Sequence, residues 1–388
     1  MSFRSASLRT GFAHAETLAC ATSCTPYNFY DSDLNANMRP NGNNSITEQP
    51  VIGITMGDPA GIGPEVIVKA LADPVIRRAA KFVVFGMNEQ LCYAADAAEI
   101  EPFWGRHQHE KISREYPYKV VVADYDEYSV PSWVRGPSKF AGEASMRFCL
   151  DAIDAARDEI IDAVVTAPIS KQSWKLAGSD WPGHTEMLAS RCKSPRKVMM
   201  FIAGPLKVAL ATIHVALFDV RNKFTIGCVF EPIDLLNDAL KQYFDVEKPR
   251  IGVAALNPHA GEDGQFGDEE QRIISPALLL AQEQGINCLG PISADTLFLR
   301  AARGEFDGVV AMYHDQGMIP VKLLDFEGAV NVTIGIPIIR TSPAHGTAFD
   351  IAGKNRANPS SMKAAITTAI QMAKTKKHLE CRIENSKF

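Results

Sequence analysis

Short, nearly continuous apolar runs alternate with amphipathic segments from Val51 onward. Examples of these runs are VIGITMG at 51–57, KFVVFGM at 81–87, YKVVVAD at 118–124 and IDAVVTAPI at 161–169. Such runs are typical of parallel strands that are covered on both faces. The segment at 139–160 spaces its apolar residues three and four apart, which predicts an amphipathic helix. Strands that alternate with helices in this way predict an α/β fold.

The same alternation continues through the second half of the chain. Pro and Gly punctuate the segments, and several apolar runs are followed directly by a histidine or an arginine. The predicted strands of this half are 197–204, 206–214, 250–256, a strand ending at His314, 329–335 and 336–342; the predicted helices are 184–192, 233–246, 269–285, 294–304 and 359–379.

A region of different character precedes these elements. Residues 1–48 are rich in Ser, Thr, Asn and Ala and show no sustained apolar period, which predicts a disordered tail. A start site assigned too early, with Met38 as the true initiator, would explain the same pattern. The Ser-rich beginning with Arg4 and Arg9 resembles a transit peptide, but we favour the first two interpretations because the Asn-rich remainder is not typical of targeting segments.

Composition narrows the class of protein. The 388 residues carry a formal net charge of −5 and no basic block, which argues against a nucleic-acid partner. No apolar run reaches the roughly eighteen residues that a membrane span needs, so no membrane association is expected. The eight cysteines are scattered and none forms a CxxC pair. Scattered thiols are typical of a reducing compartment, and the predicted location is therefore cytoplasmic.

Three histidines share one kind of position along the chain. His214, His259 and His314 each follow an apolar run that is predicted to be a strand. Because the carboxyl ends of parallel strands meet at one edge of a sheet, these side chains could converge there and leave an open position on a catalytic metal ion. A histidine at the end of a strand also commonly bonds to the backbone, and spacing alone leaves both interpretations open.

A second group of residues suits an anionic ligand. Lys322, Asn331 and Arg340 combine two cations with an amide, and Arg340 follows an apolar run, where a buried cation is costly without an anionic partner. His184 and Thr185 open a predicted helix, whose N-terminal N–H groups favour anions. The alternative for Thr185 is a plain N-cap, and spacing does not choose between the two.

Seven motifs in order carry a resemblance to a known family. Together they resemble the 4-hydroxythreonine-4-phosphate dehydrogenase family of vitamin B6 biosynthesis, from about Val51 to Ala373. HGTAFDIAGKNRANP also resembles the adenosine-binding loop of the wider isocitrate and isopropylmalate dehydrogenase superfamily. The motifs are GDPAGIGPE, TAPISK, PGHTE, NPHAGE, ADTLF, HDQG and IRTSPAHGTAFDIAG.

The resemblance implies a fold and an assembly. The expected fold has two α/β/α domains of the isocitrate/isopropylmalate dehydrogenase type, and the chain crosses between the domains and returns. Residues 49–165 and 295–388 would form a discontinuous cofactor-binding domain, and residues 166–294 a domain for dimerisation, metal and substrate. The expected assembly is a homodimer with its active sites at the interface.

The resemblance also implies site residues. A divalent metal ion (Zn, Mg or Co) would be held by the three histidines, one of them from the partner subunit. NAD would be held by the loop HGTAFDIAGKNRANP. A carboxylate at Asp350 can accept a hydrogen bond from a ribose 2′-hydroxyl and would repel a 2′-phosphate, which favours NAD over NADP. The implied residues are His214, His259 and His314 for the metal, His184, Thr185, Lys322, Asn331 and Arg340 for the substrate, and His345, Ala348, Asp350 and Asn358 for the cofactor.

The implied reaction is the oxidation of 4-phosphohydroxy-L-threonine by NAD, followed by metal-assisted decarboxylation to 3-amino-2-oxopropyl phosphate. Asp295 and Asp315 are candidate proton acceptors, and neither is assigned, so the catalytic base stays unknown. One alternative is a D-threonate or D-erythronate 4-phosphate dehydrogenase of sugar-acid catabolism. More remote alternatives are a metal-dependent phosphate-ester hydrolase and a non-catalytic sensor of a phosphorylated metabolite.

Overall fold

The computed structural model of the chain describes residues 49–131 and 133–385, so the interpretations of residues 1–48 lie outside the described part. Strands and helices alternate there as the apolar pattern predicts. The strands are β1 (Val51–Thr55), β2 (Lys81–Gly86), β3 (Gly105–Gln108), β4 (Val120–Asp124), β5 (Ala163–Thr166), β6 (Val198–Ala203), β7 (Leu206–Leu210), β8 (Ile251–Ala254), β9 (Cys288–Ile292), β10 (Gly308–Ala311), β11 (Val330–Ile334) and β12 (Ile339–Pro343). The helices are α1 (Gly63–Leu71), α2 (Pro74–Ala79), α3 (Asn88–Ala97), α4 (Lys139–Arg157), α5 (Lys171–Leu176), α6 (His184–Arg191), α7 (Val220–Lys223), α8 (Ile226–Phe244), α9 (Ser275–Glu283), α10 (Ala294–Ala302), α11 (His314–Leu324) and α12 (Ser360–Asn385).

The twelve strands of the described residues form one mixed sheet in the order β3-β4-β2-β1-β5-β12-β11-β6-β7-β10-β8-β9. β1, β2, β4, β5 and β12 run parallel to one another, and β11 is antiparallel to both β12 and β6. The chain therefore leaves the first half of the sheet after β5 and returns to it with β12. This crossing and return is the predicted connectivity.

Burial follows from the strand composition. β1 and β4 are buried at every position, which means that both faces of this part of the sheet are covered, as the continuous apolar runs predict. α4 packs against β1, β2 and β5, whereas α12 packs against β12, β5 and β11. In the other half, α8 and α11 pack against β6, β7 and β10. None of the described helices is both long enough and apolar enough to cross a bilayer.

The sequence missed or misplaced some elements. The strand predicted at 206–214 ends at Leu210, so His214 lies in the following loop. His314 does not end a strand; it is the first residue of α11, which the sequence did not predict because Gly317 and Pro320 lie inside it. The division into domains at residues 165 and 295 stays a prediction, and β10, on the far side of that division, pairs with β7 and β8.

Candidate active site

A pocket of about 200 Å³ lies beside the centre of the sheet, next to the first turns of α5 and α6. The pocket contains four of the five predicted substrate residues, one predicted metal histidine and one predicted cofactor residue. Its principal lining residues are Thr166, Lys171, His184, Thr185, Glu186, Met199, His214, Asn331, Arg340, Ser342 and His345.

Strand register explains why residues distant in sequence meet here. Ser342 on β12 is opposite Asn331 on β11, and Arg340 is opposite Thr333. Because directly paired residues point to the same face and residues two apart share that face, these four side chains lie together. Thr166 follows β5 residue Val165, which pairs with Thr341, and so belongs to the same face as Ser342.

Arg340 is the central cation of the pocket, and it is only 3% exposed. Its Nε and Nη2 donate to Thr166 Oγ1 at 3.1 and 2.6 Å, and Nη1 donates to Thr333 Oγ1 at 3.2 Å. Its hydrogen-bond partners within the described ranges include no carboxylate. Burial lowers the pKa of Arg340 to about 10, yet an arginine remains charged at neutral pH. A buried positive charge held by neutral hydroxyls is a binding site for an anion.

His184 lies next to this cation and is neutral. Its Nδ1 is 3.4 Å from Arg340 Nη2, which can only donate, so Nδ1 accepts and the ring proton resides on Nε2. Burial, followed by the charge of Arg340, lowers the pKa of His184 well below its usual range. The Nε2 atom is buried without a partner among the described residues. His184 therefore offers an unused N–H to a ligand in the pocket.

The N-terminus of α6 adds further donors. Gly183 is the N-cap and supplies no side-chain bond to the first turn, while Thr185 is the second helical residue. The interpretation of Thr185 as a plain N-cap is therefore wrong. The N–H groups of this turn remain available to an anion. Two acceptors complete the pocket, since Asn331 Oδ1 and His345 Nε2 are also buried without partners in the described chain.

The three predicted metal ligands are only partly brought together. β7, β10 and β8 are parallel neighbours, so the loops that carry the histidines leave one edge of the sheet, as predicted. The His214 and His314 rings lie 5.7 Å apart. Burial, with the charges of Lys171 and His314, lowers the pKa of His214, which keeps its nitrogen lone pair available. Within residues 49–131 and 133–385 of one chain, no three His, Cys, Asp or Glu side chains form a metal-binding group.

His259 lies apart from the other two. Its side chain is 68% exposed, and its Nδ1 is 3.2 Å from Glu262 Oε2. Five consecutive residues, 259–263, have left-handed backbone angles, with φ 51° and ψ 30° at His259. Such a conformation costs roughly 1–2 kcal/mol for each non-glycine residue, and it is concentrated at functional sites.

Lys322 also lies outside the pocket. It occupies the last turn of α11, is exposed, and has its Nζ 5.7 Å from the Phe326 ring centre. Around it the surface is apolar, because Ile319, Leu323 and Phe326 are 59%, 82% and 72% exposed. In a single chain Lys322 is therefore exposed beside an apolar surface and does not line the pocket.

The predicted cofactor loop begins at the pocket with His345 and then runs away from it. Its backbone is fixed by the β1–α1 turn and α1, since Ile62 N donates to the Thr347 carbonyl at 3.0 Å and Ala357 N donates to Glu65 Oε1 at 2.7 Å. Ala348 has a left-handed φ of 41°, and Asp350 is exposed. Asn358 Oδ1 accepts from the N–H of Ser360, the first residue of α12, at 2.9 Å. Ala348, Asp350 and Asn358 do not line the pocket.

Sequence reasoning missed several pocket residues, among them Thr166 and Lys171. Both belong to the motif TAPISK directly after an apolar strand, which was the available signal. The two candidate bases are not in the pocket: Asp295 Oδ1 accepts from Ser293 Oγ, and Asp315 Oδ1 is bonded to His314 Nδ1. No general base is assigned from these contacts.

The chain is similar to known proteins along most of its length. A family model described as pyridoxal phosphate biosynthetic protein PdxA matches residues 78–369. The 4-hydroxythreonine-4-phosphate dehydrogenase of Geobacter metallireducens is 45% identical over 336 residues, which are 84% of this chain and 97% of that protein. The D-threonate 4-phosphate dehydrogenase of Cupriavidus necator is 43% identical over 326 residues, which are 84% of this chain and 97% of that protein. A crystal structure of 4-hydroxythreonine-4-phosphate dehydrogenase from Klebsiella pneumoniae matches with a TM-score of 0.77 at 37% identity and covers 84% of this chain and 98% of that one.

Proposed function

The chain belongs to the PdxA family of pyridoxal phosphate biosynthetic proteins, and from this premise we propose that it oxidises 4-phosphohydroxy-L-threonine with NAD. The β-keto acid formed would lose carbon dioxide to give 3-amino-2-oxopropyl phosphate. The family itself is the one that the sequence motifs predict, and that prediction is confirmed. The observation that carries the proposal is the buried, carboxylate-free Arg340 beside the predicted metal residue His214 in one pocket.

The substrate phosphate is assigned to the Arg340 end of the pocket. Arg340 supplies charge and a fork of N–H donors, His184 supplies its unused Nε2–H, and Thr185 belongs to the helix N-terminus. A phosphate group accepts several hydrogen bonds at once, so this set of donors suits it better than a neutral group. Asn331 can donate from its amide nitrogen to the same ligand.

We assign the divalent metal ion, Zn, Mg or Co, to His214, His314 and a partner's His259. The first two rings are already neighbours, and the lowered pKa of His214 fits a neutral nitrogen ligand. When bound, the ion would lower the pKa of the substrate's secondary hydroxyl and polarise the carbonyl as carbon dioxide leaves.

A homodimer is part of this proposal. His259 and Lys322 are both exposed in one chain, although the resemblance gives them to the metal and the substrate. Lys322 lies among the exposed apolar side chains Ile319, Leu323 and Phe326, which a second copy would cover. Each copy would then complete the site of the other.

The nicotinamide cofactor would accept the hydride. We place its adenosine on the loop with His345, Ala348, Asp350 and Asn358, where the exposed Asp350 carboxylate would favour NAD over NADP. An Asp350→Ala variant should therefore lose affinity for NAD. Full activity of this variant would instead favour a hydrolase that needs no adenosine loop. The cytoplasmic location stays a prediction.

A second candidate reaction is the oxidation of D-threonate 4-phosphate. The D-threonate 4-phosphate dehydrogenase of Cupriavidus necator is 43% identical to this chain, which is close to the 45% of the 4-hydroxythreonine-4-phosphate dehydrogenase of Geobacter metallireducens. D-Erythronate 4-phosphate is a close analogue of D-threonate 4-phosphate. A spectrophotometric NADH assay with the three phosphorylated acids at equal concentrations separates the candidates. A kcat/KM for either sugar-acid phosphate well above that for 4-phosphohydroxy-L-threonine would replace the first proposal by the second.

A further inference from the structure

Lys171 is a charged residue of the pocket to which neither the family resemblance nor the proposed function assigns a role. It is the first residue of α5, only five positions after the end of β5 at Thr166, and it lines the pocket with Arg340 and His214. No carboxylate of the described chain forms an ion pair with it. The pocket therefore has a second cation that is free to meet a ligand.

The helix that carries Lys171 is firmly held. Ser170 caps it by accepting from Ser173 N at 3.1 Å, and Ser173 Oγ donates to the fully buried Asp58 at 2.7 Å. The next residue, Trp174, is also fully buried and donates to Ser145 Oγ at 3.0 Å. These bonds fix the first turn of α5, so the backbone position of Lys171 is set before any ligand arrives.

The Lys171 side chain passes over the N-cap of α6. A Cβ atom at Gly183 would lie 3.4 Å from Lys171 Cε and 3.6 Å from Glu186 Oε2, so both side chains lie beside this N-cap. Lys171 lines the same pocket as His214 and Glu186. Lys171 therefore approaches the pocket from α5 and the N-cap of α6, whereas Arg340 approaches it from the sheet.

We infer that Lys171 binds the carboxylate of the substrate while Arg340 binds its phosphate. This inference rests on the proposed function, whose substrates carry both anions. The hydroxyl to be oxidised is β to the carboxylate, so a hydroxyl held near His214 brings the carboxylate to the same end of the pocket. The phosphate then extends toward Arg340 and His184. Lys171 would accordingly select phosphorylated acids over phosphorylated alcohols.

Two variants on one helix test this role. Lys171→Met removes the charge in the pocket, and Lys175→Met makes the same change one turn later, at an exposed position outside the pocket. KM for the phosphorylated acid should rise about 10- to 100-fold in Lys171→Met, as expected for the loss of one charge-assisted bond, and stay unchanged in Lys175→Met. Lys171→Arg, which keeps the charge, should restore most of the affinity.

Binding of two simple probes separates this inference from the proposed function. Inorganic phosphate and D-threonate, which lacks the phosphate, are titrated by calorimetry into the metal-loaded protein, with no turnover needed. Lys171→Met should weaken the binding of D-threonate and leave the binding of phosphate unchanged, whereas Arg340→Met should weaken the binding of phosphate. Equal loss of both probes, or loss of phosphate alone in Lys171→Met, would overturn the assignment, as would a Lys171→Met variant that binds both normally. A wild-type protein that binds both probes but forms no NADH would refute the proposed reaction and leave the assignment of Lys171 intact.

Discussion

Arg340→Met separates the function of the buried cation from its structural role. Methionine keeps a linear apolar stem of similar length and removes the guanidinium. Arg340 is 3% exposed and is bonded to the hydroxyls of Thr166 and Thr333 rather than to a carboxylate. We therefore expect a large loss of substrate affinity with little loss of stability.

The magnitude follows from the environment of the guanidinium. Burial lowers its pKa to about 10, below the usual value of arginine, and at about 1.36 kcal/mol per pKa unit the folded chain bears a cost of about 3 kcal/mol for the charge. Removing the charge relieves this cost and offsets the lost hydrogen bonds, so the free energy of unfolding should stay within about 1 kcal/mol of the wild-type value. Truncating one partner of a buried charge pair costs about 2–5 kcal/mol, which corresponds to a rise in KM of about 30- to 5000-fold.

Two measurements check this prediction. Urea unfolding gives the stability of both proteins, and a thermal shift with inorganic phosphate reports the anion site directly. The wild type should be stabilised by phosphate, and Arg340→Met should not. Arg340→Lys, which keeps the charge and loses the fork, should lie between them. Destabilisation by more than about 3 kcal/mol with an unchanged KM would show that Arg340 is structural, and the reasoning would fail.

The other predictions concern neighbours of Arg340 and the metal. Thr166→Val leaves two Arg340 N–H groups without their acceptor, so KM should rise about tenfold, while Thr166→Ser keeps the oxygen and stays near wild type in the same NADH assay. The pKa of His184 is lowered on folding, so below about pH 6.5 the unfolded chain binds an additional proton and the free energy of unfolding decreases as the pH decreases. The difference in unfolding free energy between pH 7.5 and pH 5.5, measured with urea, should therefore be smaller in His184→Gln than in the wild type. An equal difference in the two proteins would contradict the assignment. A chelator should abolish NADH formation and added Zn²⁺, Mg²⁺ or Co²⁺ should restore it, whereas normal turnover of metal-free protein would remove the role given to His214, His259 and His314.

The sequence by itself determined the class of fold and most of the pocket chemistry. Apolar runs without a polar face correctly predicted β1, β2, β4 and β5, because a strand covered on both sides needs that composition. The position of Arg340 after an apolar run indicated a buried cation, and Arg340 is buried. These properties are local, and a local pattern can encode them.

Tertiary structure decided which residues meet. The order of the strands and their register, which depend on pairings between distant segments, bring Thr166, Asn331 and Arg340 to one face of the sheet. The same long-range packing brings Lys171 into the pocket and leaves His259 and Lys322 on the surface. No periodicity in the chain carries that information, because it resides in the contacts between elements rather than within any one of them.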